Sequence, residues 1–170
     1  MKRVSEVNEL YGSNEALERL QRRRARFFNT CMMATALGAA VSDGLSDGRV
    51  VSGVGGQYNF VAQAHDLPGG RSIIAVRATR ASGGRVESNI RWNYGHTTIP
   101  RHLRDVVLTE YGVADIRGKS GADVIAALLA IADPRSQPAL RAEAQRAGKL
   151  PAAHRIPDAL RANLPERLED

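Results

Sequence analysis

Apolar positions in this chain come in short continuous runs broken by glycine, proline and charged residues, the pattern of brief strands alternating with a few amphipathic helices. The first twelve residues are polar, with Val4, Val7 and Leu10 at apolar spacing and no turn to close them. Ser13-Asn14 then caps a helix from Glu15 to about Arg24, with Leu17 and Leu20 on one face. Ala25 to Thr30 reads as a strand. Cys31 to Ala40, rich in Ala and Met, is open between helix and loop, and Asp43-Gly44 and Asp47-Gly48 are turn signals. Arg49-Val50-Val51 reads as a strand entering the run Gly53-Val54-Gly55-Gly56. Gln57 to His65 follows as a short helix with Phe60, Val61 and Ala64 at helical spacing, stopped by Leu67-Pro68-Gly69-Gly70.

Ser72 to Val76 is a continuous β-branched and apolar run, as expected of a strand covered on both faces. Gly83-Gly84 turns the chain into Arg85 to Trp92, where alternation predicts a half-exposed antiparallel strand; Asp105 to Thr109 reads as another buried strand. Ser120, with Asp123 three residues on, caps a helix whose Val124, Ile125, Leu128, Leu129, Ile131 and Ala132 form a broad apolar stripe for packing on a sheet. Asp133-Pro134 ends it, and Pro138 to Ala147 predicts a more exposed helix. Past Lys149, Pro151, Pro157 and Pro165 among Arg and Glu describe a tail, so the expected organisation is a domain over 1–149 and a flexible segment over 150–170. No internal repeat is visible.

A length of 170 residues suits one α/β domain. The single cysteine, Cys31, excludes an internal disulfide and fits a reduced, cytoplasmic setting; nothing basic surrounds it, so an inert buried thiol is expected. Met1-Lys2-Arg3 runs directly into polar sequence, unlike a secretory signal, and the longest apolar stretch, Val124 to Ala132, falls far short of the ~20 residues that cross a bilayer, so no membrane partner is expected. The net charge of +6 comes from dispersed arginines apart from Arg22-Arg23-Arg24, which close a helix. Few aromatics accompany them. The excess charge is therefore read first as a solvated face, next as steering for an anionic ligand and last as a nucleic-acid footprint, so nucleic acid is not an expected partner. The four histidines are isolated and there is no Cys-x-x-Cys, so neither a metal site nor a permanently bound cofactor is expected.

The glycine run carries the candidate chemistry. Glycine lets a ligand approach the main chain, and the first turn of the following helix offers N–H groups with no internal partner, so an oxyanion of a phosphate, carboxylate or thioester suits the junction. The alternatives are a turn without a ligand and, ranked lowest, a nucleotide-binding turn, from whose Gly-x-Gly-x-x-Gly spacing this run departs.

Taken with Thr97-Thr98-Ile99-Pro100-Arg101-His102 and with Val107 to Ser120, which reads Val-Leu-Thr-Glu-Tyr-Gly-Val-Ala-Asp-Ile-Arg-Gly-Lys-Ser, the loop resembles the C-terminal domain of the acetyl-CoA hydrolase and CoA-transferase family. The resemblance implies an α/β fold with an open, mostly parallel sheet and flanking helices, CoA-transferase-like. It further implies a glutamate that attacks an acyl-CoA thioester, with coenzyme A as substrate or product and a carboxylate as acceptor. Gly56 is then the candidate oxyanion amide, Gly53, Gly55 and Gln57 shape the site, and Arg101 and His102 contact coenzyme A or substrate or else anchor a loop. A basic residue flanking the Gly83-Gly84 turn would also meet coenzyme A; Arg80 is taken, with Arg77 and Arg85 as alternatives. Family members carry the nucleophilic glutamate well upstream of the loop, so this chain is expected to need an N-terminal half or a homodimer partner, the alternative being a non-enzymatic remnant that binds coenzyme A. Glu110 is expected to be structural, paired with Arg101, Arg117 or Lys119, and His96 to be a solvent-facing turn residue.

Overall fold

The computed structural model describes residues 3–11 and 14–161; Ser13, expected at the helix cap, and 162–170, including Pro165, lie outside them. Helices α1 (Val4–Asn8) and α2 (Glu15–Gln21) lead into strands β1 (Arg26–Thr30), β2 (Met33–Thr35) and β3 (Ala40–Val41). After a long loop come α3 (Gln57–Asp66), β4 (Arg71–Ala75), β5 (Thr79–Ser82), β6 (Arg85–Ser88) and β7 (Ile90–Arg91). A 3-10 turn (Arg101–Leu103) precedes β8 (Val106–Thr109), β9 (Gly112–Asp115), α4 (Gly121–Ala130) and α5 (Gln137–Arg146), and a second (Asp158–Leu160) follows.

The main sheet has the order β1-β4-β8-β9. Its first three strands are parallel, and β9 returns antiparallel from β8 through Glu110-Tyr111. A second sheet, β3-β2-β7, and the β5-β6 hairpin stand beside it. The hairpin turns on Gly83 and Gly84, both at positive φ (55° and 74°), as a two-residue turn matching strand twist requires. The expected mostly parallel α/β sheet is therefore present, but its cover is one-sided. Ile74, Val107 and Ala114 stand in register on one face, beneath Val61 of α3 and Val124, Ile125 and Leu128 of α4. On the other face Phe28 and Val113 remain 67% and 64% exposed beside Ile73, Val106 and Leu108. The continuous apolar run of β4 predicts burial on both faces; instead its residues alternate between buried and half-buried, because α3 and α4 pack on the same face.

Ser120 caps α4 as its spacing predicts: the hydroxyl accepts from the Asp123 amide at 3.2 Å, and Val124, Ile125, Leu128 and Leu129 are all buried. Each such branched side chain contributes on the order of 1.5–3 kcal/mol. Four other stretches differ from expectation. Residues 31–41 form β2 and β3 around a tight turn at Gly38 (φ 91°). The run Arg85–Trp92 divides at Asn89 into β6 and β7, which belong to different sheets. Val50 and Val51 form no strand: Val50 makes one isolated bridge to Gly44 and both side chains are exposed, since no neighbouring strand offers a ladder. Beyond 149, Leu150 and Ile156 are buried in the main core, so the packing passes the expected boundary.

A polar lock holds the β8–β9 turn to the end of α4. Tyr111 Oη donates to Asp133 Oδ2 at 2.9 Å, and the fully buried Asp133 also accepts from Arg135 Nε (2.8 Å) and Nη2 (2.6 Å). These Arg135 bonds, with help from Tyr111, hold the Asp133 carboxyl below its ordinary range, while burial and the same hydrogen bond push the Tyr111 phenol up to about 12. A carboxyl lowered on folding adds stability above its unfolded pKa near ~3.9 and loses it as pH falls through the folded value. Urea midpoints of the wild type and Asp133→Asn are therefore expected to differ widely at pH 7 and to converge as pH drops below about 4.

Candidate functional site at the carboxyl ends of the parallel strands

A cleft of about 850 Å³ opens where β1, β4 and β8 end, the position at which parallel α/β sheets receive ligands. Thr30, Cys31, Arg77, Arg80, Asn89 and Glu110 line it. Burial pushes the Cys31 thiol up to about 12, so at neutral pH it is protonated and no nucleophile, in keeping with the absence of basic neighbours in sequence.

The glycine loop reaches the rim of this cleft through Gln57, the first residue of α3. Its buried side chain donates from Nε2 to the Thr30 carbonyl at 3.0 Å, and Thr30 is itself a lining residue. Gly55 is left-handed (φ 59°), and a Cβ at Gly53 or Gly55 would meet nothing within 4 Å. Among the described residues, no carbonyl accepts a hydrogen bond from the Gly53, Val54, Gly55 or Gly56 amide. Gly56 is the N-cap of α3, with Asn8 of α1 close beside it: a Cβ there would lie 2.8 Å from Asn8 Nδ2.

The base of the loop is clamped by a group that sequence spacing does not reveal. The Asp43 carbonyl accepts from Val51 N (2.8 Å) and Ser52 N (3.3 Å). Its carboxylate accepts from the Thr98 hydroxyl and from His96 Nε2 at 2.9 Å, and these bonds, Thr98 first, hold it below its ordinary pKa. His96 is thus a partner of Asp43, 53 residues away in sequence, and not a free turn residue. Its ring explains Gly44, where a Cβ would come within 2.7 Å of imidazole atoms.

Arg80 lines the cleft, but its guanidinium is engaged: Nη2 donates to Glu87 Oε2 at 3.0 Å, and Arg91 reaches the same oxygen at 2.8 Å. Arg101 and His102 are not brought to the loop. They sit in the turn before β8, in a groove of about 420 Å³ shared with His65, Arg104 and Arg117 at the amino ends of the strands. His65 lies eight residues along α3 from Gln57, about 12 Å down the helix axis, and bonds the Leu103 carbonyl at 2.9 Å. Glu110 makes none of the expected ion pairs; both of its oxygens accept from the Ala78 amide, at 2.9 and 3.1 Å.

Fold and cleft together define an α/β domain with an open cleft at the carboxyl ends of its parallel strands. The chain belongs to the acetyl-CoA hydrolase/transferase C-terminal domain family, whose pattern it matches over residues 1–144. It is 34% identical over 117 residues to a 4-hydroxybutyrate coenzyme A transferase of Clostridium kluyveri, covering 68% of this chain and 27% of that protein. A probable butyrate:acetyl-CoA coenzyme A-transferase of Syntrophomonas wolfei is 31% identical over 121 residues, 69% of this chain and 27% of its own. The fold is shared with RipA of Yersinia pestis (TM-score 0.65, 30% identity, 73% of this chain and 28% of that one). It is shared also with a 4-hydroxybutyrate CoA-transferase of Porphyromonas gingivalis (TM-score 0.57, 33% identity, 72% and 26%). The chain thus spans about a quarter of the length of these relatives. Among the described residues no helix is long and apolar enough to cross a membrane, and no group of His, Cys, Asp and Glu is arranged to hold a metal.

Proposed function

We propose that this chain is the C-terminal part of an acyl-CoA hydrolase or CoA-transferase, supplying the oxyanion-binding and coenzyme A-binding half of a site whose nucleophilic glutamate comes from an N-terminal half or from a partner copy. The observation that carries the reading is the loop Gly53–Gly56, its amides without carbonyl acceptors, pinned by Gln57 to the rim of the cleft. The family membership supports it.

In this reading the glutamate carboxylate attacks the thioester carbonyl and the C–S bond breaks, leaving a mixed anhydride and coenzyme A thiolate. The thiolate then attacks the glutamyl carbonyl and releases the acyl carboxylate. Acceptor carboxylate or water resolves the glutamyl-CoA thioester that remains. Each addition places negative charge on a carbonyl oxygen, and the Gly56 amide is the donor proposed to meet it, with Gly53, Gly55 and Gln57 fixing its position. The exposed sheet face around Phe28 and Val113 is the proposed seat of the glutamate-bearing polypeptide, since parallel sheets are ordinarily covered on both sides. Arg101 and His102 keep a proposed role only as a second anion contact remote from the loop.

The test is acetyl-CoA with acetate or succinate, with this chain alone and with a glutamate-bearing N-terminal fragment added, together with calorimetry against coenzyme A. Binding in both arms and turnover only with the fragment is expected. Binding without turnover in either arm would favour a coenzyme A-binding remnant, and the absence of binding would defeat both.

A further inference from the structure

Three arginines flank the Gly83-Gly84 turn, and their surroundings differ. Arg80 shares Glu87 with Arg91. Arg85 stands on the exposed β6 strand, away from the cleft lining. Arg77 lines the cleft, is exposed, and makes no side-chain hydrogen bond or ion pair among the described residues.

Its main chain, by contrast, is fixed on both sides. The Arg77 carbonyl accepts from Asn89 Nδ2 at 3.0 Å, and the next amide, Ala78 N, donates to the Glu110 carboxylate. Asn89 is in turn bonded through its own N–H to the Ala78 carbonyl at 2.8 Å and through its carbonyl to Ala34 N at 2.9 Å, and both Asn89 and Ala78 are buried. The unpaired guanidinium therefore rises from a rigid base. Arg77 is two residues past Ala75, whose strand partner is Thr30, the residue that anchors the loop. Two extended residues span at most about 7 Å and neighbouring strands about 4.8 Å, so the base of Arg77 lies within roughly 12 Å of the Thr30 strand end, on the same cleft. Glu110 is the opposing charge in the lining, and both of its oxygens face the Ala78 amide.

We infer that Arg77 binds a carboxylate in the acyl part of the cleft, making it the residue that selects a dicarboxylic acyl group or acceptor over a monocarboxylic one. A planar guanidinium fork fits a carboxylate through two parallel hydrogen bonds. The inference rests on the proposed acyl-CoA site. The phosphates of coenzyme A share this anion chemistry, and the test separates the two sources.

Calorimetry on the whole chain would compare coenzyme A, acetyl-CoA and succinyl-CoA for wild type, Arg77→Leu and Arg77→Lys, with circular dichroism to confirm folding. Wild type is expected to favour succinyl-CoA over acetyl-CoA by about tenfold to a hundredfold; Arg77→Leu removes that preference without weakening coenzyme A, and Arg77→Lys retains part of it. Equal weakening of all three ligands by Arg77→Leu would overturn the inference in favour of a phosphate contact. Coenzyme A binding with no preference in wild type would overturn it and leave the proposed function standing, whereas no binding of any ligand would remove both.

Discussion

Replacing Asp105 by alanine is expected to lower the stability of the domain by about 3 to 5 kcal/mol, most of the margin of a small domain. Asp105 is 3% exposed at the amino end of β8, and its two oxygens hold three donors: Ser72 N at 2.6 Å, Arg71 Nε at 2.8 Å and Arg117 Nη2 at 2.6 Å. Arg71 also pairs with Asp115 at 2.6 Å, and Arg117 bonds the Gly70 and Ala64 carbonyls, so this carboxylate ties the start of β4, the end of β9 and the end of α3 into one node. Removing it strands a buried amide and leaves two guanidinium groups short of their counter-charge. Asp105→Asn keeps an acceptor for Ser72 N and is expected to lose distinctly less. Urea denaturation of the two variants measures the difference, and equal losses would show that the retained acceptor contributes nothing and that the charge accounts for the whole effect.

Gly56→Pro is expected to reduce turnover by about 100- to 1000-fold in an assembly that includes the glutamate, with affinity for coenzyme A unchanged. Proline deletes one main-chain donor, and the φ of −86° at Gly56 lies near the range that its ring adopts. Both proline and alanine would bring a carbon against Asn8, whose amide is the free end of a side chain able to turn away. Gly56→Ala is therefore the control for bulk, and it keeps the N–H. Steady-state kinetics with acetyl-CoA separate the two: a fall with proline alone assigns the rate to the amide, and equal falls with both variants would remove Gly56 as the oxyanion donor.

The elements that local pattern announces are those whose burial is decided within a few residues. β1, α3, β4, β8, α4 and α5 all lie where periodicity, caps and turn residues place them, because an apolar stripe or run must find a cover wherever it lies. β2, β3 and β9 are legible only as pairings. Met33–Thr35 becomes a strand because Val41 and Ile90 flank it, whereas Val50-Val51, with a stronger β-branched signal, finds no ladder and stays exposed. The glycine loop and its helix follow from residue type, but the clamp at its base does not, since Asp43, His96 and Thr98 are brought together from more than 50 residues apart.

The amino-acid order by itself determined the family, the parallel α/β plan and the glycine loop ahead of α3, since these depend on local conformational preference and on motifs contiguous in the chain. Only the tertiary structure decided which charged groups share a site. It engaged Arg80 with Glu87, carried Arg101 and His102 to the far end of the sheet, bonded Glu110 to a backbone amide and left Arg77 in the cleft unpaired among the described residues. The physical reason is that a charge takes its role from whichever partner and solvent lie within a few ångströms, and in a parallel sheet those neighbours come from strands distant in sequence.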